Sequence, residues 1–124
     1  MAKVLIVDDS ATMRKIIMRV LRQAELKVED VLEAGNGLEG LAALGKAPDI
    51  GLILSDVNMP QMNGLEFVKK VREAHPKEKL PMVMITTEGG EAMIQQAMSN
   101  GANGYVTKPF TPESIRTALA GFIG

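Results

Sequence analysis

Cysteine is absent from the 124-residue sequence. That absence removes disulfides, thiolate nucleophiles and thiolate metal sites together, and it fits a reducing compartment. Tryptophan is missing as well, and tyrosine and histidine occur once each, as Tyr105 and His75. Positive charge is not in surplus: 14 basic and 15 acidic side chains leave a formal net charge of -1, with the two signs mixed along the chain. Without a basic stripe, direct nucleic-acid binding is not expected. No apolar run approaches the length that spans a bilayer, so no membrane insertion is expected. The opening MAKVLIVDDS ends its short apolar run in two aspartates, unlike a signal peptide, whose apolar stretch leads to small residues. The expectation is therefore a soluble, cytoplasmic protein. Its length suits one domain, residues 1–124, and the closing TALAGFIG carries no linker signal, which favours a complete protein.

Two hydrophobic periods alternate along the chain. Residues 4–7 (VLIV), 50–54 (IGLIL) and 82–85 (MVMI) are continuous apolar runs of the kind found in strands covered on both faces. Weaker strands are expected near 27–33 and at 104–107. Between them lie helical patterns. Met13, Ile16, Ile17, Val20, Leu21 and Ala24 share one face of a helix over 11–24, while Arg14, Lys15, Arg19 and Arg22 lie on the others. Leu38, Leu41 and Ala42, then Leu65, Val68 and Val71, then Met93, Ile94, Ala97 and Met98 mark three shorter helices. The last helix opens at Thr111-Pro112-Glu113, a cap residue, a proline at the first helical position and an acid in the first turn, and continues through Ile115, Ala118, Leu119 and Phe122. His75, before Pro76, reads as an ordinary residue at a helix end, and the nine methionines read as adaptable core filler.

Strict alternation of strand and helix, five times over, implies an α/β fold: a doubly wound, five-stranded parallel sheet with helices on both faces. Ligands in such folds bind beyond the carboxyl ends of the strands, where strand order reverses. Asp8-Asp9, Asp56, Thr86-Thr87 and Lys108-Pro109 follow four of these strands and so share one rim. In the flavodoxin-like order 2-1-3-4-5 the first and third strands are neighbours, which brings three carboxylates together beside a hydroxyl and an ammonium. Such carboxylates stay ionised at neutral pH only if a cation neutralises them. Magnesium, which takes one or two carboxylates plus waters and phosphate oxygens, suits that need. Lys108 can act as a point charge on a phosphate oxygen and Thr86 as a hydrogen-bond donor to another.

The acidic pair Asp8-Asp9, the stretch DVNMPQMNG from 56 to 64, Thr86 and YVTKPF from 105 to 110 together resemble the receiver domains of response regulators, and the likeness covers the whole chain. Within that family it is most similar to the chemotaxis regulators. The resemblance implies phosphorylation of Asp56 by a histidine kinase. It implies magnesium bound by Asp9, Asp56 and the main-chain carbonyl of Asn58, with Asp8 assisting through water, and a cis bond between Lys108 and Pro109. It further implies that Thr86 and Tyr105 move together when the signal is read, that the surface near Ile94, Gln95, Tyr105 and Arg116 meets the target, and that Thr87 and Glu88 modulate access to the phosphoryl group and its loss. A flagellar motor switch protein and a phosphatase are the partners implied by the chemotaxis members, with the chain itself a monomer. A lone histidine means that a phosphohistidine donor comes from another protein.

Rival readings are a phosphorelay receiver, or a receiver excised from a transcriptional regulator. A flavin-binding protein of the same topology would need a hydroxyl-rich phosphate loop where Asp8-Asp9 stands. A phosphatase of the haloacid dehalogenase type is similar in its aspartyl-phosphate, but carries D-x-D there rather than adjacent aspartates.

Overall fold

Five strands and five helices alternate among the residues that the computed structural model describes, which are 2–57, 59, 61–86, 91–108 and 110–122. In chain order they are β1 (Ala2–Val7), α1 (Ala11–Gln23), β2 (Val28–Ala34), α2 (Gly37–Lys46), β3 (Leu52–Asp56), α3 (Gly64–Arg72), β4 (Met82–Thr86), α4 (Glu91–Asn100), β5 (Gly104–Thr107) and α5 (Pro112–Leu119). All strand pairs are parallel, in the order β2-β1-β3-β4-β5. This is the expected doubly wound, flavodoxin-like sheet.

Side-chain alternation along each strand divides the core in two. Leu5, Val7, Ile53, Met82 and Met84 join Leu44, Phe67, Val68, Val71 and Ala97, so α2, α3 and α4 cover one face of the sheet. Val4, Ile6, Leu52, Leu54, Val83, Ile85 and Val106 join Ile17, Leu21, Ile115 and Leu119, so α1 and α5 cover the other. Burial on both faces is the reason that β1, β3 and β4 read as unbroken apolar runs rather than alternating ones.

Some expectations shift in detail. The third strand begins at Leu52 and ends at Asp56, not over 50–54, because Ile50 N–H still bonds to Ala47 in the turn after α2 and pairing with β1 starts at Val4 opposite Leu52. Asp56 is therefore the last residue of the strand. On α1, Ile16 is exposed: the buried row is Ile17, Val20, Leu21 and Ala24, and Ile16 lies a hundred-degree step away from it. On α2 the buried face differs from the one that the apolar spacing points to, for Leu38 is 51% exposed and Ala42 is exposed too. The buried residues there are Gly37, Gly40 and Leu44. A Cβ on Gly40 would stand 2.7 Å from the Phe67 ring, so the helix packs through its own backbone, a contact that hydrophobic periodicity cannot register. Met98 on α4 is also exposed, whereas Ala97 is buried. His75 lies three residues beyond the end of α3, its N–H bonded to Val71.

At the outer edge, the register between β1 and β2 slips, with Ala2 opposite Val28 but Lys3 opposite Asp30. Glu29 is left over as a bulge, and the Asp30 carboxylate accepts from the N–H of Val31 at 2.9 Å.

Candidate metal centre

Each member of the rim is held by local chemistry. The Asp8 N–H continues the ladder to Ala34 of β2, and its Oδ1 accepts from Ser10 N–H at 2.9 Å, a side-chain turn that points the carboxylate back over the strand end. Ser10 in turn caps α1 by accepting from Met13 N–H. One short run, Asp8-Asp9-Ser10, thus ends a strand, makes a turn and starts a helix.

Asp56 Oδ1 accepts from the N–H of Val57 at 2.8 Å. Gly64 makes its position possible: a Cβ there would fall 2.2 Å from the Asp56 carbonyl oxygen and 2.8 Å from Met84. The Gly64 N–H donates to Val57, so α3 begins directly on the end of β3. Lys108 follows β5, and its N–H donates to the Thr86 carbonyl at 2.7 Å. Its side chain is 11% exposed and reaches both carboxylates, with Nζ 3.4 Å from Asp8 Oδ2 and 3.7 Å from Asp56 Oδ1.

Asp8, Asp9 and Asp56 each offer an oxygen, and these oxygens all lie within 4.8 Å of one another. Asp8 is 1% exposed, while Asp9 is open to solvent. Burial pushes the Asp56 carboxyl above its ordinary value; Asp8 and, less strongly, Asp9 add to the rise, while Lys108 and the Val57 N–H oppose it. A purely oxygen donor set with an uncompensated excess of negative charge is what a hard divalent cation such as magnesium fits.

Thr86 is buried at the end of β4, and Tyr105 on β5 is 47% exposed. Strand alternation puts both on the α4 side of the sheet, since Ile85 and Val106 face α1 and α5. Ile94 is half-buried and Gln95 exposed on α4. Arg116 does not join them. Its Nε donates to Ala24, at the end of α1, and its Nη2 lies 3.8 Å from Glu25; Ser114, Thr117 and Ala118 of α5 line a surface hollow together with Tyr105, Val106 and Thr107 of β5. Asn58, Thr87, Glu88 and the peptide bond to Pro109 fall outside the described residues.

Two residues acquire importance that the sequence did not suggest. Gly64 reads as turn punctuation yet sets the height of α3 over Asp56. Arg14, assigned to the polar side of its helix, turns inward: its Nη1 donates to the Asp8 carbonyl oxygen at 2.6 Å and its Nε to Glu33 at 2.9 Å. The signal available was a basic residue in a first helical turn, where the helix dipole disfavours positive charge.

Comparison with known proteins bears on the family and the fold. A family model described as the response regulator receiver domain matches residues 4–120. A chemotaxis protein CheY homolog of Campylobacter jejuni is 47% identical over 98% of this chain and 92% of its own length. Chemotaxis protein CheY1 of Helicobacter pylori is 46% identical over 98% of this chain and 97% of its own. Among solved structures, chemotaxis protein CheY4 of Vibrio cholerae superposes with a TM-score of 0.86 at 41% identity, covering 98% of both chains.

Proposed function

Because this chain belongs to the family of response regulator receiver domains, we propose that residues 1–124 act as one receiver unit of a two-component system, phosphorylated on Asp56 by a histidine kinase in the presence of magnesium. The observation that carries the reading is the meeting of three carboxylates at the carboxyl ends of the adjoining β1 and β3, with the Lys108 ammonium reaching them from the end of β5. The site residues divide the work. An Asp56 oxygen attacks the phosphorus of the donor phosphohistidine in line, the P–N bond breaks, and the imidazole leaves with the bonding pair. Lys108 is placed to pair with a phosphoryl oxygen, exchanging its present contact with Asp56 for one with the new group. The Thr86 hydroxyl supplies a donor to a second oxygen. Magnesium, held by Asp9, Asp56 and the main-chain carbonyl of Asn58 with Asp8 through water, would offset the charge gathering at the acceptor.

Relatives named as chemotaxis proteins, at 46% and 47% identity, support a chemotaxis role; relay to the flagellar motor switch protein, a phosphatase that ends the signal, a cytoplasmic location and a monomeric state belong to the same proposal. Tyr105 is the reporter of the switch, moving as Thr86 is drawn toward the phosphoryl group, while Thr87 tunes access to that group and Glu88, with Asn58, its loss. Incubation with acetyl phosphate and magnesium should add one phosphoryl group, a mass gain of about 80 Da for a single attack on a carboxylate. In the same sample the Tyr105 ring resonances should shift. An Asp56→Asn variant that took up label at equal stoichiometry would overturn the assignment.

A further inference from the structure

We propose that Arg14 is a positioning residue for the divalent-cation site, clamping the main chain of Asp8 to the end of β2 so that the acidic pair is held in register with Asp56. The inference rests on the magnesium site of the proposed function and extends it one layer outward. Both main-chain groups of Asp8 are tied to the same place. Its N–H donates to Ala34 at 3.0 Å. Its carbonyl oxygen accepts from Arg14 Nη1 at 2.6 Å, and the Nε of that guanidinium is anchored on Glu33, the residue before Ala34, at 2.9 Å. The Arg14 side chain is only 18% exposed, so the fork is packed in place rather than lying on the surface.

Helix α1 gains nothing from an arginine in its first turn, where no acidic residue stands and the macrodipole opposes a cation. Nor does the charge favour the cation site, since a guanidinium beside three carboxylates repels a second positive ion. What Arg14 supplies is geometry. A planar fork holds two acceptors at a fixed angle, which a lysine cannot do. Groups that orient metal ligands from behind are worth tens-fold in affinity although they never touch the ion.

The two contributions of Arg14 oppose each other in sign, and that makes the clamp testable. Magnesium chloride is titrated calorimetrically into the wild-type chain, Arg14→Met and Arg14→Lys, with melting in magnesium-free buffer as the check on folding. Loss of charge alone would tighten binding; loss of the clamp should weaken it about tenfold in Arg14→Met. Arg14→Lys, which keeps the charge but not the fork, should also bind several-fold more weakly. At saturating magnesium, phosphorylation by acetyl phosphate should return to within about twofold of the wild-type rate, because the deficit lies in binding and not in transfer. Should Arg14→Met fail to fold, Arg14→Gln, which removes both the charge and the fork but keeps a polar head, should show the several-fold loss instead. Unchanged or tighter binding in Arg14→Met, wild-type binding in Arg14→Lys, or a rate that stays low at saturation would each overturn the clamp. A wild-type chain that takes up no magnesium would instead bring down the site itself, and the clamp with it.

Discussion

Asp56 occupies a position in which its own charge is unwelcome until something offsets it. Burial and Asp8 raise its pKa, so between the ordinary carboxylate value and the raised one the folded state binds more protons than the unfolded. The stability linked to this group is therefore fully present below the ordinary value and is lost as pH rises through the raised one. In magnesium-free buffer at neutral pH, Asp56→Asn should accordingly melt a few degrees above the wild type, and the gap should close on acidification to below pH ~4. Thermal melts at a series of pH values check this, and a gap that widened in acid would contradict it. Gly64 makes the complementary case, in which shape rather than charge decides. With backbone oxygen 2.2 Å from any Cβ, Gly64→Ala must push α3 away from β3, at a cost of about 3 kcal/mol or more by denaturant titration.

At the scale of elements, helix starts were more legible than helix faces. Thr111 caps α5 with Pro112 behind it and Glu113 in the first turn, as the residue types announce, and Ser114 closes the box reciprocally. Faces fail where packing is made by what is missing. Gly37 and Gly40 bury α2 through bare backbone, and no count of apolar side chains reveals that. Hydrogen-bond hubs fail for a related reason, since a sequence reads an arginine as solvated. Arg72 donates from Nε to Gly101, from Nη1 to His75 and Leu80, and from Nη2 to Asn103, lacing the end of α3 to the approaches of β4 and β5. Arg72→Met, similar in length but without donors, would strand these acceptors and should cost about 2–4 kcal/mol in denaturant unfolding. Phosphoryl uptake at the far edge of the sheet should be preserved as long as the variant is folded.

For the molecule as a whole, the site was legible because it follows from topology. Once the first and third strands are neighbours, residues that follow them must meet, and Asp8, Asp9 and Asp56 do. The order of approach was not legible: Lys108 stands nearer Asp8 than Asp56, by virtue of side-chain reach that no motif encodes. Since the carboxylates converge only in the folded chain, magnesium should stabilise the whole molecule. At a hundred times its dissociation constant the gain is about 2.7 kcal/mol, read as a rise of several degrees in melting temperature. Asp8→Asn and Asp56→Asn should each diminish the response, whereas substitutions at the opposite end of the sheet should not.

The slipped pairing at the start of β2 has a bearing on how copies of this chain treat each other. An outermost strand is an open template, and a flat one invites a neighbour to dock alongside. Here the surplus Glu29 breaks the regular row, and Asp30 spends its carboxylate on the next amide of its own backbone. An incoming strand meets a kinked border, negative charge and one donor already taken, so crowding with its own kind should leave the β2 side of the fold closed to sheet extension.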